Sequence, residues 1–214
     1  MKSTQALLFD LDGTLVDSEV IGLDVLHDIA IELGASLDRH ESHQRFRGVP
    51  MWQCVEHVLQ MLPDGKRLDC DTVLADIRRR MAERFHQGLQ EIPGASALLA
   101  NLRIPFAVAT NGPREKADLT LGLTGLNRFI GNRLFCAPEV GSYKPEPGLF
   151  LHAAQALGVE PKHCIVVEDS LAGLEAGLAA GMRVLSLHAP VDLPAQAQCR
   201  VHFITALDQV ERWL

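Results

Sequence analysis

Short apolar runs separated by helical patterns constrain this chain more than any other feature. Candidate strands fall at residues 6–10, 106–110, 133–136, 164–168 and 183–187, with a weaker sixth at 201–204. Most are continuously apolar rather than alternating, as strands buried on both faces are. Helical patterns at 95–102, 115–121, 148–156, 171–180 and 207–214 lie between or after them. That alternation predicts an α/β fold, a Rossmann-like parallel sheet covered by helices. It breaks once, over the 95 residues between Asp10 and Phe106, where no strand pattern occurs. There the apolar residues take helical steps instead: Val20, Leu23, Leu26, Ile29 and Leu33 before Gly34, then Met51, Val55, Val58 and Leu62 before Pro63, then Leu74, Ile77, Met81 and Phe85. Residues 38–46 form a weaker fourth helix. The expected organisation is a discontinuous core of residues 1–17 and 89–214, with an all-helical domain, 18–88, inserted after the first strand.

Composition narrows the function classes. Lys and Arg number 20 against 27 Asp and Glu, a formal charge of −7, and aromatics make up 5%. Nucleic-acid binding depends on cations that neutralise phosphates and on rings that stack bases, so neither nucleic acid nor a membrane surface is an expected partner. The first apolar run ends at Phe9, too short for a signal-peptide core or a membrane span, and a cytoplasmic location is expected. Cys54, Cys70, Cys136, Cys164 and Cys199 show no C-x-x-C spacing and read as reduced thiols. Gly173, Gly177 and Gly181, four residues apart, suit close packing of a helix on the sheet. His40 and His43 read as a solvated helix face, and Arg78, Arg79 and Arg80 as a solvated basic run.

Four clusters carry chemistry, each at or after the C-terminal end of a predicted strand or in a following loop, where open α/β sheets bind ligands. Asp10 and Asp12 alternate onto one side, and Gly13 permits a sharp turn. Two adjacent carboxylates suit a nucleophile with an acid/base, or a Mg²⁺ site; an acidic turn is the alternative. Thr110-Asn111-Gly112 offers a hydroxyl and backbone amides to a phosphate, or is a plain Asn-Gly turn. Lys144 precedes Pro145, which favours an extended conformation that aims the ammonium inward; an ordinary surface lysine is the alternative. Glu168-Asp169-Ser170 opens a helix and supplies either a helix cap or further carboxylates for a metal.

In this order, "FDLDGTL", "TNG", "KP" and "VVEDS" resemble the four motifs of the haloacid dehalogenase (HAD) superfamily. The spacings of 100, 34 and 25 residues between Asp10, Thr110, Lys144 and Asp169 are similar to those of members with a helical C1-type cap. The resemblance implies a phosphoric monoester hydrolase. Asp10 would be the nucleophile that forms an aspartyl-phosphate, and Asp12 the acid/base. Thr110, Asn111 and Lys144 would hold the phosphoryl group. Asp10, the Asp12 carbonyl and Asp169 would ligate Mg²⁺, with Glu168 as a further ligand or a neighbour that orients the others.

The chain is similar to the β-phosphoglucomutase-like and sugar-phosphate phosphatase branch. Gly22 stands where the mutases place a His, and Met51 where they place a phosphate-binding Arg. A phosphatase is therefore expected over a mutase or a non-catalytic binding protein. Its substrate would be a small phosphorylated sugar or sugar acid of the 6-phosphogluconate type. Arg47, in a loop between inserted helices, would meet the distal part of that substrate. A monomer is the default expectation.

Overall fold

The computed structural model describes residues 4–47, 49–63, 68–187 and 200–214. The chain opens with β1 (Ala6–Phe9) and then runs through α1 (Glu19–Leu33), α2 (Arg39–Phe46), α3 (Met51–Gln60) and α4 (Cys70–Gly88). It continues as α5 (Ala95–Asn101), β2 (Phe106–Thr110), α6 (Arg114–Thr124), α7 (Asn127–Ile130), β3 (Leu134–Cys136), α8 (Ala137–Val140) and α9 (Gly148–Ala156). β4 (Cys164–Glu168), α10 (Leu171–Ala179), β5 (Arg183–Ser186) and β6 (Val201–Phe203) follow. The last segment, Leu207–Trp213, is a 3₁₀ helix rather than the expected α-helix, and the short α7 and α8 leave no periodic signal in four residues each.

All strand pairs are parallel, in the order β3-β2-β1-β4-β5-β6. Sequence order reverses at β1, between β2 and β4, which is the crevice position where such sheets bind ligands. β1, β2 and β4 are buried along their whole length, as their apolar runs require. On one side Ala6, Leu8, Ala107, Ala109 and Val166 pack with Leu149, Phe150 and Ala153 of α9 and Leu174 and Ala176 of α10. Gly177 lets α10 lie close: a Cβ there would stand 2.9 Å from Val184 Cγ2 and 3.2 Å from Val166 Cγ2. Gly181, at φ 76°, then turns the chain in the left-handed region. Of the three spaced glycines, Gly177 is thus the one that packs α10 on the sheet.

The chain divides into two compact units, residues 1–17 with 90–214 and residues 18–89. In the first, a backbone clasp closes the points of departure and return. Asp17 N–H donates to the Gln90 carbonyl at 3.0 Å, Ile92 N–H to the Leu15 carbonyl at 2.9 Å, and Val16 bridges Glu91. In the second, Leu23, Leu26, Ile29 and Ala30 of α1 are buried, as are Ile77, Met81 and Phe85 of α4, and α1 stops at Gly34 (φ 100°). A Cβ on Gly22 would lie 3.1 Å from Met81 Cε and 3.5 Å from Met51 Cε.

Ion pairs tie the polar α2 to α1, which corrects the solvated-face reading of His43. Arg39 bridges Asp24 and Asp28 at 2.6 Å each, and His43 Nε2 meets Asp24 Oδ1 at 3.0 Å. His40 remains exposed and bonds Gln44. Nor is the arginine run merely solvated: Arg80 grips Glu32 with two bonds of 2.6 and 2.7 Å, and Arg79 pairs with Asp76 and Glu83.

Cys136 and Cys164 are buried free thiols whose pKa burial pushes up to about 11, and that of Cys54 to about 12. Such thiols are inert. Cys199 lies outside the described residues. No helix among the described residues is long and apolar enough to cross a membrane.

The helix–sheet contact makes a direct prediction. Gly177→Ala is expected to destabilise by about 1–3 kcal/mol through overpacking on Val166 and Val184. Gly122→Ala, on an exposed turn of α6 with nothing within 4 Å of the added carbon, is expected to stabilise by about 0.5–1 kcal/mol. Urea denaturation of the two variants checks both signs.

Candidate active site

The ends of β1, β2 and β4 bring the chemistry-bearing residues together. Asp10 is the first residue beyond β1, and its N–H still donates to the Val167 carbonyl at 3.0 Å. The chain then turns at Gly13, with φ 86°; a Cβ there would come within 2.1 Å of Asp169 Oδ2. Backbone sign and space therefore both require glycine. Buried Thr14 donates from its hydroxyl to Asp169 Oδ1 at 3.0 Å and orients that carboxylate.

Lys144 is the centre of the cluster. It is 6% exposed, and its Nζ donates to Asp10 Oδ1 and, at 2.7 Å, to Glu168 Oε1. Its backbone is fixed by Asn111, whose side chain accepts from Lys144 N–H at 2.9 Å and donates to the Lys144 carbonyl at 3.1 Å. The Lys144–Pro145 bond is cis. Sequence reading assigned the Asn111 backbone amide to a phosphate; the clamp made by its side chain was not visible there. Thr110, 2% exposed, accepts from Gly112 N–H at 3.0 Å through its hydroxyl.

Glu168 is fully buried, with every carboxylate oxygen engaged. Oε1 takes Lys144, and Oε2 accepts from Asp169 N–H, Ser170 N–H and Ser170 Oγ at 2.8–2.9 Å. Gly173 makes this possible, because a Cβ on it would fall 1.7 Å from Glu168 Oε1. Ser170 also caps α10, accepting from Gly173 N–H at 3.1 Å. The capping reading of this motif is thus realised by Ser170, and Glu168 and Asp169 present their carboxylates beside it.

Asp10, Glu168 and Asp169 each offer an oxygen within 4.8 Å of the others. An all-oxygen, largely buried, acidic set of this kind fits a hard divalent cation. Asp12 forms an ion pair with Lys116 of α6 at 2.8 Å. Among the described residues, four carboxylates thus face two ammonium groups, an excess of negative charge that a bound cation would offset. Lys116 belongs to none of the sequence motifs. Its only signal is position, six residues beyond Thr110 and in the first turn of the following helix. Arg47 belongs to the helical unit, where it ends α2 and meets Glu19 Oε2 at 3.6 Å with its side chain 59% exposed.

Burial raises the Asp10 pKa, Lys144 lowers it, and Glu168 and Asp12 push it up again, to about 7. Burial works against the Lys144 charge, but Asp10 and Glu168 outweigh it and hold the ammonium above the usual lysine range. An unfolded aspartate titrates near pH 4. The folded chain therefore binds the Asp10 proton more tightly, and without metal the Asp10 contribution to stability falls as pH rises from about 4 to about 7. In the presence of a chelator, Asp10→Asn is expected to exceed the parent protein in stability at pH 8 by on the order of 1 kcal/mol, with the gap narrowing by pH 5. The amide removes repulsion with Glu168 while Glu168 still balances Lys144. Lys144→Met does the opposite: it leaves Asp10 and Glu168 uncompensated and is expected to lose about 3–5 kcal/mol. Chemical denaturation at both pH values distinguishes the two effects.

The geometry has its counterpart among known proteins. The haloacid dehalogenase-like hydrolase family matches residues 4–181. The 6-phosphogluconate phosphatase of Escherichia coli (strain K12) is 36% identical over 184 residues, covering 86% of this chain and 82% of that protein. Hexitol phosphatase A of the same organism is 33% identical over 201 residues, covering 89% and 86%. A solved HAD family hydrolase from Deinococcus radiodurans R1, with bound phosphate and sodium, is similar at a TM-score of 0.70 and 33% identity, covering 95% and 93% of the two chains. The family expected from the four motifs is the family found over most of the length, and the chain belongs to the haloacid dehalogenase-like hydrolases.

Proposed function

We propose that the protein is a Mg²⁺-dependent phosphatase that hydrolyses a small phosphorylated sugar or sugar acid, 6-phosphogluconate foremost, through an aspartyl-phosphate on Asp10. The observation that carries this reading is the placement of Asp10 against a buried ammonium at the strand-order reversal, with Asp12 two residues on. The phosphatase relatives support the reaction class.

An aspartate approaching a phosphate dianion meets like charge, about 8 kcal/mol at 4 Å and an effective dielectric of 20. Lys144 offsets part of this at the nucleophile itself. Asp10, Asp169 and the Asp12 carbonyl would hold Mg²⁺, which bound there would offset part of the remaining negative charge. Glu168, with its oxygens already engaged, holds Lys144 in place. Asp10 attacks phosphorus, the ester P–O bond breaks, and Asp12, which must enter this step protonated, gives its proton to the departing alcohol. Asp12 then takes a proton from water, which attacks the phosphorus, releases phosphate and restores Asp10. Thr110 and the Asn111 amide hold the phosphoryl oxygens. The helical unit acts as a cap, and Arg47 on it selects the substrate's distal end. The mutase alternative lacks the His expected of it at position 22, which is Gly.

Phosphate release from a panel of sugar phosphates, with and without EDTA, tests the proposal. Asp10→Asn is expected to lose at least about a thousandfold in kcat, and EDTA to abolish turnover. Activity that survives both overturns the mechanism. An isomerised product without free phosphate would indicate the mutase, and no turnover on any ester a binding protein. Arg47→Ala is expected to change the ranking of sugar phosphates against p-nitrophenyl phosphate by about tenfold; an unchanged ranking removes Arg47 from substrate selection.

A further inference from the structure

Asp10 has its counter-ion in Lys144, and Asp12 has a separate one. Lys116, in the first turn of α6, donates from Nζ to Asp12 Oδ1 at 2.8 Å, with the two side chains 30% and 26% exposed. The lysine stem passes over the loop that ends β2. A Cβ on Gly112 would stand 3.8 Å from Lys116 Cδ, 3.7 Å from Asp12 Oδ2 and 3.3 Å from Thr110 Oγ1. Glycine at 112 thus leaves room between the loop, the lysine and the carboxylate. The turn that bears Lys116 is itself anchored. Arg114, two residues earlier, donates to the Leu134 carbonyl at 2.9 Å and grips Glu139 with bonds of 2.6 and 2.9 Å.

We propose that Lys116 is a positioning residue that holds the Asp12 carboxylate beside Asp10, where it serves the departing alcohol. This rests on the phosphatase reading above. Asp12 shares its end of the sheet with Asp10, Glu168 and Asp169. Like charges at such range repel, and on a partly exposed carboxylate that repulsion favours turning toward water. An ammonium delivered from an anchored helix opposes that movement and fixes one oxygen. One short segment, residues 110–116, therefore serves both acids: Asn111 fixes the lysine that holds Asp10, and Lys116 holds Asp12.

The test is the dependence on leaving group. kcat/KM reports the steps up to departure of the alcohol. An alkyl ester such as 6-phosphogluconate needs a well-placed acid in those steps, whereas p-nitrophenyl phosphate releases a stable phenolate. Lys116→Met is expected to lose about tenfold more in kcat/KM on the alkyl ester than on the aryl ester, and Lys116→Arg to recover most of that difference. Equal losses on the two esters, or no loss, overturn the proposal; a shared rise in KM with kcat unchanged would instead make Lys116 a phosphate-binding group. A crystal structure of Lys116→Met decides the point without turnover. Asp12 is expected to leave its present position, and an unmoved carboxylate overturns the proposal. A wild-type enzyme inactive on every ester would refute the phosphatase reading alone, and the displacement of Asp12 would still be measured.

Discussion

Burying an ammonium at the end of a parallel sheet is unfavourable unless its charge is matched, and Lys144 is matched twice, by Asp10 and by Glu168. The neighbouring structure follows from that requirement. Glu168 must be fully buried to reach Lys144, so the start of α10 supplies donors for its other oxygen. α10 must then approach closely enough that position 173 has no room for a side chain. Asn111 must hold the Lys144 backbone, which ties the loop after β2 to the loop before α9. Two carboxylates sharing one cation leave Asp10 destabilised as an anion. In the nucleophile proposed for this position that would be useful, because charge held at a disadvantage in the resting state is relieved when it is transferred or shared.

The sheet was legible in the sequence because its central strands are buried on both faces and carry unbroken apolar runs. β2 and β4 were bounded to the residue at 106–110 and 164–168, as was α9 at 148–156. The ends of the others moved by one to three residues, where fraying and capping outweigh periodicity. The strand order that places Asp10, Thr110 and Glu168 at one edge is a long-range property. The alternation of strands and helices predicts a parallel sheet but states no order, and no local pattern does.

The side-chain contacts were the least legible part. Sequence spacing places Asp10, Lys144 and Asp169 on loops at one end of a sheet but does not say which oxygen meets which nitrogen. The motif offers the Asn111 backbone, whereas the structure uses its side chain; Thr14 lies in the first motif, but nothing there says that its hydroxyl reaches Asp169, and Lys116 lies in no motif. His43 and Arg80 were read as solvated because their partners, Asp24 and Glu32, lie on another helix. In each case, a polar residue's role is decided by what the fold brings opposite it.

The clasp between Asp17 and Gln90 has a consequence for how such a chain can change over generations. The inserted helices leave and rejoin the sheet-bearing unit at one point, held by backbone bonds that no particular side chain supplies. Material between the two ends can be lengthened, shortened or replaced without shifting the register of any strand, since closing a longer loop adds little free energy. The sheet and its carboxylates can thus remain fixed while the inserted residues diversify, so one chemistry becomes available to many inherited variants of the insert.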